Sequence, residues 1–265
     1  MSARRPLPRR FYQRPVVELA AALIGQVLMR RRGRALLAGR IVETEAYGGQ
    51  GVDPSAHSFR GSTPRCAVMF GPAGMAYVYS THQGRCCLNV TAEGDRRGKA
   101  VLIRALEPLA GLDAMRALRL AALDDGPTRA RLLRGADHEL TAGPGRLCLG
   151  LDIDRELNGV DLTDAASPLW IAAAAADADA APPSILWTPR VGLNPASASF
   201  LWAWRGFDAA SPSVSSAPGR RDARRRPRPA RCPAPRLRRS AKPAARRPSA
   251  DPRRTARGWT SRAWP

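Results

Sequence analysis

The sequence predicts an α+β domain built around a largely antiparallel β-sheet. Stretches with helical spacing and stretches with strand-like alternation are interspersed along the chain without a regular βαβ rhythm, which disfavours a parallel sheet. Residues 35–47 alternate as a half-buried strand does. Residues 75–80 and 85–90 are two further strand-like runs, and the His-Gln-Gly segment between them is typical of a hairpin tip.

The elements before this hairpin follow from local composition. Residues 16–28 are apolar and predict a helix, and Pro15 suits its first position. Residues 30–34 contain a glycine and indicate a turn, after which the strand over residues 35–47 begins. Residues 48–63 are rich in Gly, Ser and Pro. They predict a long loop, which in a compact domain is usually functional or disordered.

The elements after the hairpin are less sharply marked. Residues 99–106 form an apolar run, and residues 109–123 carry Leu and Met at helical spacing. Thr141 and the Ala-Gly-Pro-Gly that follows it predict a cap and a turn. Residues 172–183 are rich in Ala and Asp and predict a surface loop. Further strands are expected within residues 186–215, where Trp, Val and Phe return.

Charge divides the chain into parts. The formal net charge is +21, and residues 217–265 alone hold 17 basic and 2 acidic residues. We therefore expect a flexible basic arm over residues 1–10, one domain over residues 11–215 and a disordered Arg- and Pro-rich tail over residues 216–265. An excess of positive charge this large favours nucleic acid as the partner.

The tail has two interpretations. It is either a disordered anchor that binds DNA without regard to sequence, or an artefact of GC-rich DNA read out of frame, which also yields Arg, Pro and Ala. The prediction of the domain does not depend on the choice.

Composition disfavours several classes of protein. The sequence has no apolar run of about 18 residues, so a membrane-spanning helix is not expected. Its first residues lack the apolar segment of a secretory signal. Five cysteines are few and odd in number, which favours reduced thiols over a disulfide framework. We therefore expect a cytoplasmic protein with no membrane partner.

Two carboxylates and an aromatic ring share one face of the strand over residues 35–47. The strand period of two puts Glu43, Glu45 and Tyr47 on the same side. This arrangement suits a site where a carboxylate activates water beside a stacked planar ligand. On pattern alone, a half-buried strand with a solvent-facing Glu pair is the commoner interpretation.

Other candidate residues give weaker signals. Tyr77 and Tyr79 share a strand face and could stack a nucleobase at about 1–3 kcal/mol per base, although such pairs more often pack in a core. His57 is isolated in the Gly-rich loop, where a histidine is more often solvated or structural than catalytic. Cys86 and Cys87 are adjacent and form a poor ligand pair, and the three histidines lack the spacing of a zinc site, so no metal is expected. No cofactor is expected either.

Nine segments, taken in their order and at their spacing, resemble the alkyladenine (3-methyladenine) DNA glycosylases, the monofunctional purine-excision enzymes of bacteria and vertebrates. The segments are FYQRPVVELAAALIGQVLMRR, GRIVETEAYGG, DPSAHSFRG, TPRCAVMFGPAGMAYVY, CLNV, AVLIRALEPLAGLDAMR, LTAGPGRLCLGLDI, TPRVG and, more weakly, SPSVS. The resemblance covers about residues 11–215. It implies a single domain around a curved sheet with flanking helices and a β-hairpin that intercalates into DNA.

The resemblance also implies a reaction. A damaged purine (3-methyladenine, 7-methylguanine, hypoxanthine or ethenoadenine) is flipped out of duplex DNA and its N-glycosidic bond is hydrolysed, leaving an abasic site. Glu45 matches the general base, Arg104 matches an arginine that helps hold the water, and Val214 would offer it a backbone carbonyl. Neither of the two lysines, Lys99 and Lys242, is placed as a nucleophile, so no lyase step is expected.

Four residues match groups around the flipped base. Tyr47 and Tyr79 match the rings that sandwich it, and His57 matches a residue that contacts it. Asn89 matches a side chain that disfavours the exocyclic amine of normal guanine. Stacking between electron-rich rings favours the positive charge of an N-alkylated purine.

DNA intercalation or backbone contact is implied for five residues: Thr63, Arg65, Met69, His82 and Arg85. His82 departs from the family, which usually has a Tyr wedge at this position. A weaker wedge would lower the flipped population, because unstacking a base costs a few kcal/mol. Residues 194–210 also match the family poorly.

Two functions from different classes follow from the sequence. The first is a base-excision glycosylase that acts as a monomer in the cytoplasm of a bacterium, in association with the nucleoid. The second is a non-catalytic basic nucleic-acid-binding protein derived from this family. Glu45 discriminates between them, because a pure binder has no use for a carboxylate pointed at DNA phosphates.

Overall fold

Eight antiparallel strands form one curled sheet in the computed structural model, which describes residues 4–175 and 184–191 and the backbone of residues 204–208. The strands are β1 (Val27–Arg32), β2 (Ala35–Tyr47), β3 (Ala76–Ser80), β4 (Cys86–Thr91), β5 (Ala100–Ala110), β6 (Leu169–Ala172), β7 (Ile185–Pro189) and β8 (Trp204–Asp208). Six of them follow in the order β3-β4-β5-β2-β1-β6, while β8 pairs with β2 and with β7. The predicted α+β class with a mostly antiparallel sheet is confirmed.

Short helices flank the sheet in this part of the chain. The α-helices are α1 (Arg9–Tyr12), α2 (Val16–Leu23), α3 (Leu112–Ala121), α4 (Gly126–Arg134) and α5 (Pro144–Gly150), and the 3₁₀ helices are Ala67–Phe70, Asp137–Leu140 and Arg155–Leu157. Helix α2 packs on β2 and β5, and α5 packs on β4, β5 and α3. The sheet is therefore covered by helices on the side that carries the main core.

The helix predicted over residues 16–28 is wrong beyond Leu23. Gly25 follows α2 with a φ of +87°, a conformation that glycine adopts without strain. The chain then enters β1, which the sequence analysis did not identify. The first three residues of β1, Val27, Leu28 and Met29, are all buried. A strand buried on both faces is a continuous apolar run, and periodicity cannot separate it from a buried helix.

The face of β2 that carries Thr44 is turned toward helix α2. The Thr44 hydroxyl donates a hydrogen bond to the Ala20 carbonyl of α2 at 2.9 Å. The main core is made of fully buried apolar side chains, each contributing about 1.5–3 kcal/mol relative to exposure; they include Leu19, Leu23, Ile41, Ile103, Leu106 and Met115. Because side chains alternate along a strand, Glu43 and Glu45 point to the other face of the sheet.

An irregularity interrupts the pairing of β2 with β5 beside these glutamates. The register shifts between Ile41 and Glu43 and again between Glu43 and Thr44, so that Arg104 has no Cα partner on β2. Irregular positions of this kind bend a strand and re-aim its side chains. Arg104 is thereby placed next to the carboxylates of β2.

The segment predicted as a flexible arm, residues 1–10, contacts the domain where the structure describes it. The Leu7 N–H donates to the Ile171 carbonyl at 2.8 Å. Arg9 forms an ion pair with Asp161 at 2.5 Å. These contacts hold the chain against the sheet from Leu7 onward.

Some predictions fall outside the described residues: those for residues 1–3, for most of the loop over residues 172–183, for much of residues 186–215 and for the tail over residues 216–265. The described part of residues 186–215 contains most of β7 and all of β8, so strands do lie in the region where the sequence predicts them. No helix in the described part of the chain is both long enough and apolar enough to cross a membrane.

Candidate active site

Glu45 is the centre of a charged cluster on the β2 face that points away from α2. Its side chain is 1% exposed. Arg104 Nη1 lies 3.2 Å from Glu45 Oε1, and Arg104 Nε donates to Glu43 Oε1 at 2.7 Å. The Tyr47 hydroxyl donates to Glu45 Oε2 at 3.0 Å, and the Val191 N–H donates to Oε1 at 2.9 Å. Glu43, Glu45 and Tyr47 thus share a face, as the strand period predicts.

The cation and the phenol of this cluster are held in single protonation states. Burial alone lowers the pKa of Arg104, but the carboxylates of Glu45 and Glu43 outweigh it and raise that pKa above its ordinary value. Burial, followed by the charge of Glu45, raises the pKa of Tyr47 well above that of a free tyrosine. At neutral pH Glu45 therefore faces a permanent cation and a neutral hydroxyl donor.

A row of cross-strand neighbours extends from Glu45 to the hairpin strands. Glu45 pairs with Leu102 of β5, Leu102 pairs with Asn89 of β4, and Asn89 pairs with Tyr77 of β3. Directly opposed residues point to the same face of a sheet, and adjacent strands lie roughly 4.8 Å apart. Asn89 is therefore roughly 10 Å from Glu45 across two strand spacings and faces the same side. Its amide donates to the Tyr77 carbonyl at 3.2 Å, which fixes the side chain.

Three aromatic side chains form a group beside this row. The rings of His57 and Tyr79 meet edge to face with centroids 4.5 Å apart, and those of Tyr77 and Tyr79 lie 5.5 Å apart. His57 Nδ1 is 2.8 Å from the Tyr77 hydroxyl. Burial and, to a smaller extent, Arg65 lower the pKa of His57, while burial raises the pKa of Tyr77 to about 12. Both groups are consequently uncharged near pH 7.

A buried ion pair behind Tyr47 was missed by the sequence analysis. Asp53 of the Gly-rich loop and Arg190, which follows β7, have side chains that are 0% exposed and joined by two hydrogen bonds of 2.7 and 2.9 Å. Arg190 Cζ also lies 4.3 Å from the centroid of the Tyr47 ring. The signal was present in the sequence, since Asp53 opens DPSAHSFRG and Arg190 lies in TPRVG, but neither motif indicates that the two residues meet.

The five residues predicted to meet DNA do not all reach the surface. Thr63, Arg65, His82 and Arg85 are exposed, the last two on the turn between β3 and β4. Met69, by contrast, is 4% exposed and packs in a cluster with Cys66 and Tyr77. The structure thus brings four of the five side chains to the solvent.

A cavity of about 440 Å³ lies between the hairpin turn and the start of α5. His82, Arg85 and Arg146 are among its lining residues, and none of the Glu45 cluster is. It is therefore a basic hollow at the hairpin and separate from the carboxylate site.

Val214, predicted to offer a carbonyl to the reacting water, lies outside the described residues. Within them, a backbone group that reaches Glu45 is the N–H of Val191. No group of three or more His, Cys, Asp or Glu side chains in the described part of the chain could hold a metal ion.

Comparison with known proteins places this geometry in a family. The family model described as Methylpurine-DNA glycosylase (MPG) matches residues 10–212. A protein of Methanocella arvoryzae is 41% identical over 214 residues, which cover 80% of this chain and 98% of that relative.

Two bacterial relatives show the same similarity. A protein of Burkholderia lata is 41% identical over 75% of this chain and 86% of its own, and one of Carboxydothermus hydrogenoformans is 42% identical over 71% and 88%. All three relatives carry the name "Putative 3-methyladenine DNA glycosylase". The matched range contains the Glu45 strand, the hairpin and the Arg190 segment. The chain belongs to the methylpurine-DNA glycosylase family and is a DNA glycosylase, a DNA-binding hydrolase of DNA repair.

Proposed function

We propose that this glycosylase excises 3-methyladenine, 7-methylguanine, hypoxanthine and ethenoadenine from duplex DNA, with Glu45 as the base that activates water. The observation that carries the proposal is the state of the Glu45 carboxylate. It is almost fully buried, it is oriented by Arg104, Tyr47 and the Val191 amide, and it keeps acceptor capacity. Among the residues that the structure describes, these donors occupy three of the about four acceptor positions of a carboxylate, which leaves Oε2 one position for a water.

The proposed step is a hydrolytic displacement at C1′ of the deoxyribose. The water oxygen bonds to C1′, Glu45 takes a proton from the water, and the N-glycosidic electron pair leaves with the base. Arg104 is fixed by Glu43 and Glu45, so it holds the carboxylate in one orientation and can help to hold the water. The Val214 carbonyl stays a prediction from the resemblance.

The buried Glu45 carboxylate also suits this transition state. Glu45 is 1% exposed, and its negative charge favours the oxocarbenium character that the sugar acquires as the base departs. In a buried site such charges act through a low dielectric and are stronger than in water.

The base-binding groups support a flipped purine. One face of the Tyr47 ring is covered by Arg190, so a base would stack on the opposite face, with Tyr79 and His57 forming the other wall. Asn89 is held by the Tyr77 carbonyl and is the proposed group that rejects the exocyclic amine of guanine. N3- and N7-alkylated purines leave without further protonation, because they already carry a positive charge.

A monofunctional reaction is supported by the state of Lys99. Burial alone would lower its pKa, but hydrogen bonds to Asp95 and Glu93 raise it. Lys99 pairs with both carboxylates, so its amine is protonated and is a poor nucleophile. We propose that the product is an abasic site with both DNA strands intact.

The test is single-turnover excision from duplexes that hold one hypoxanthine or one ethenoadenine, and from alkylated DNA. Wild type should produce alkali-labile abasic sites on at least one of these substrates. Glu45→Gln keeps the shape of the side chain and removes the base, so the rate should fall by about 10²-fold or more. Glu107→Gln is the matched control, because Glu107 also lies on the sheet but pairs with the exposed Arg40.

Two results would overturn the proposal. If wild type binds these duplexes and makes no abasic sites, the chain is a non-catalytic DNA-binding member of its family. If Glu45→Gln excises as fast as Glu107→Gln, another group activates the water.

A further inference from the structure

We infer that the buried pair of Arg190 and Asp53 is a positioning element for the site: it sets the backbone at Val191 that donates to Glu45, and it covers the rear face of the Tyr47 ring. The inference rests on the proposed function, in which Glu45 activates water and Tyr47 receives the flipped base. Neither Arg190 nor Asp53 touches the reacting atoms. Their role would be exerted through the residues that do.

Asp53 has every acceptor position of its carboxylate in use. Oδ1 accepts from the Ser55 N–H at 3.0 Å and from Arg190 Nη2 at 2.9 Å. Oδ2 accepts from the Gly48 N–H at 3.0 Å and from Arg190 Nη1 at 2.7 Å. A carboxylate with four donors in a solvent-free position has one orientation. Asp53 therefore ties the start of the Gly-rich loop, directly after Tyr47, to Arg190.

Arg190 connects that loop to the strand of the catalytic residues. Besides Asp53, its Nη1 donates to the carbonyl of Ala46 at 2.8 Å, and Ala46 lies between Glu45 and Tyr47. The next residue in the chain, Val191, donates its N–H to Glu45 Oε1. The Arg190 guanidinium, bonded to three oxygens, thus fixes the backbone at Arg190. The amide that orients Glu45 belongs to the next residue, Val191.

The same guanidinium determines which face of Tyr47 is available. It lies 4.3 Å from the ring centroid, so a base cannot stack on that side. The charge of Asp53 compensates the cation, so that the ring is not left beside an unpaired positive charge. A cationic alkylated base on the other face would otherwise be repelled by it.

Stability alone is a weak explanation for this pair. Removing two charges from water is costly, and well-packed apolar residues of similar volume often hold a core as well or better. An apolar pair could join the loop to the segment after β7 across 137 residues of sequence. It could not hydrogen-bond the Gly48 and Ser55 N–H groups and the Ala46 carbonyl, as Asp53 and Arg190 do.

The test uses the full chain with two conservative variants and a control. Arg190→Lys keeps the charge but loses the fork, and Asp53→Asn keeps the shape but loses the charge. Arg119→Met is the matched control. Arg119 is also a buried arginine that donates to two backbone carbonyls, those of Glu139 and Leu140, and no hydrogen bond in the described part of the chain joins it to the Glu45 cluster.

Three quantities are measured for each variant: the melting temperature, the hydrogen exchange of the Val191 amide relative to that of the core amide of Ile103, and the rate of single-turnover excision. Arg190→Lys and Asp53→Asn should speed the relative exchange of Val191 about tenfold, as expected for the loss of roughly one hydrogen bond. Excision should slow by about 10²-fold, the effect of an ångström-scale misplacement.

The relative exchange of Val191 and the excision rate together separate positioning from general destabilisation. Arg119→Met should lower the melting temperature and leave both of them at their wild-type values.

The inference is overturned if the relative exchange of Val191 stays at the wild-type value in both pair variants, and that result is decisive whether or not the protein is active. It is also overturned if Arg119→Met speeds that exchange as much as they do. If wild type shows no excision but Val191 exchanges faster in Arg190→Lys and Asp53→Asn, the proposed function is overturned instead. The positioning of the Val191 backbone by Arg190 and Asp53 then still stands.

Discussion

Removal of the cation between Glu43 and Glu45 should destabilise the fold strongly. Arg104 lies 3.2 Å from Glu45 and 2.7 Å from Glu43, and its side chain is 14% exposed. A single pair at 3.2 Å is worth about 5 kcal/mol at an effective dielectric of about 20, before desolvation is counted. Breaking a buried pair by removing one partner typically costs about 3–5 kcal/mol. We therefore expect Arg104→Met to lower the free energy of unfolding by about 3–5 kcal/mol at pH 7. Urea denaturation of the full chain at pH 7 measures this loss.

Arg40→Met is the matched control for this variant. Arg40 also joins β2 to β5, through Glu107, but its side chain is 45% exposed. An exposed pair is worth about 0–1 kcal/mol, so this variant should unfold almost as wild type does. The reasoning about Arg104 is refuted if the two variants lose the same stability.

Three other predictions follow from the described residues. Because burial lowers the pKa of His57, its NMR titration should fall below 6.5; its stabilising effect is present above that pH and is lost as the pH drops through the lowered value, and a midpoint at or above 6.5 contradicts this. Gly39→Ala would put a Cβ 2.9 Å from Leu106 Cβ, so thermal or urea unfolding should show a loss of about 1–3 kcal/mol; no loss would show that β5 can move aside. His82→Tyr enlarges an exposed side chain on the hairpin turn, so single-turnover excision of hypoxanthine should become faster while the melting temperature is unchanged, and an unchanged rate argues against a wedge at this position.

Local patterns were sufficient for the elements with one buried face. The strand over residues 35–47 and the hairpin around His82 appear in the structure within a residue or two of the predicted bounds, because alternation and turn residues are properties of neighbouring positions. Strand β1 escaped prediction because its first three residues are buried on both faces. Only the partner strands, β2 and β6, decide that this apolar run is extended.

Residue order and the strand period of two were enough to predict the family, the charged face of β2 and most candidate site residues. Which groups surround Glu45 depends on how distant parts of the chain pack together. The irregular pairing of β2 with β5 aims Arg104 at both glutamates. The union of Asp53 with Arg190, 137 residues apart, places an amide on Glu45 and a guanidinium behind Tyr47. Contacts between residues this far apart in sequence depend on the tertiary packing of the sheet and on the need of buried donors for hydrogen-bond acceptors. No local sequence pattern specifies them.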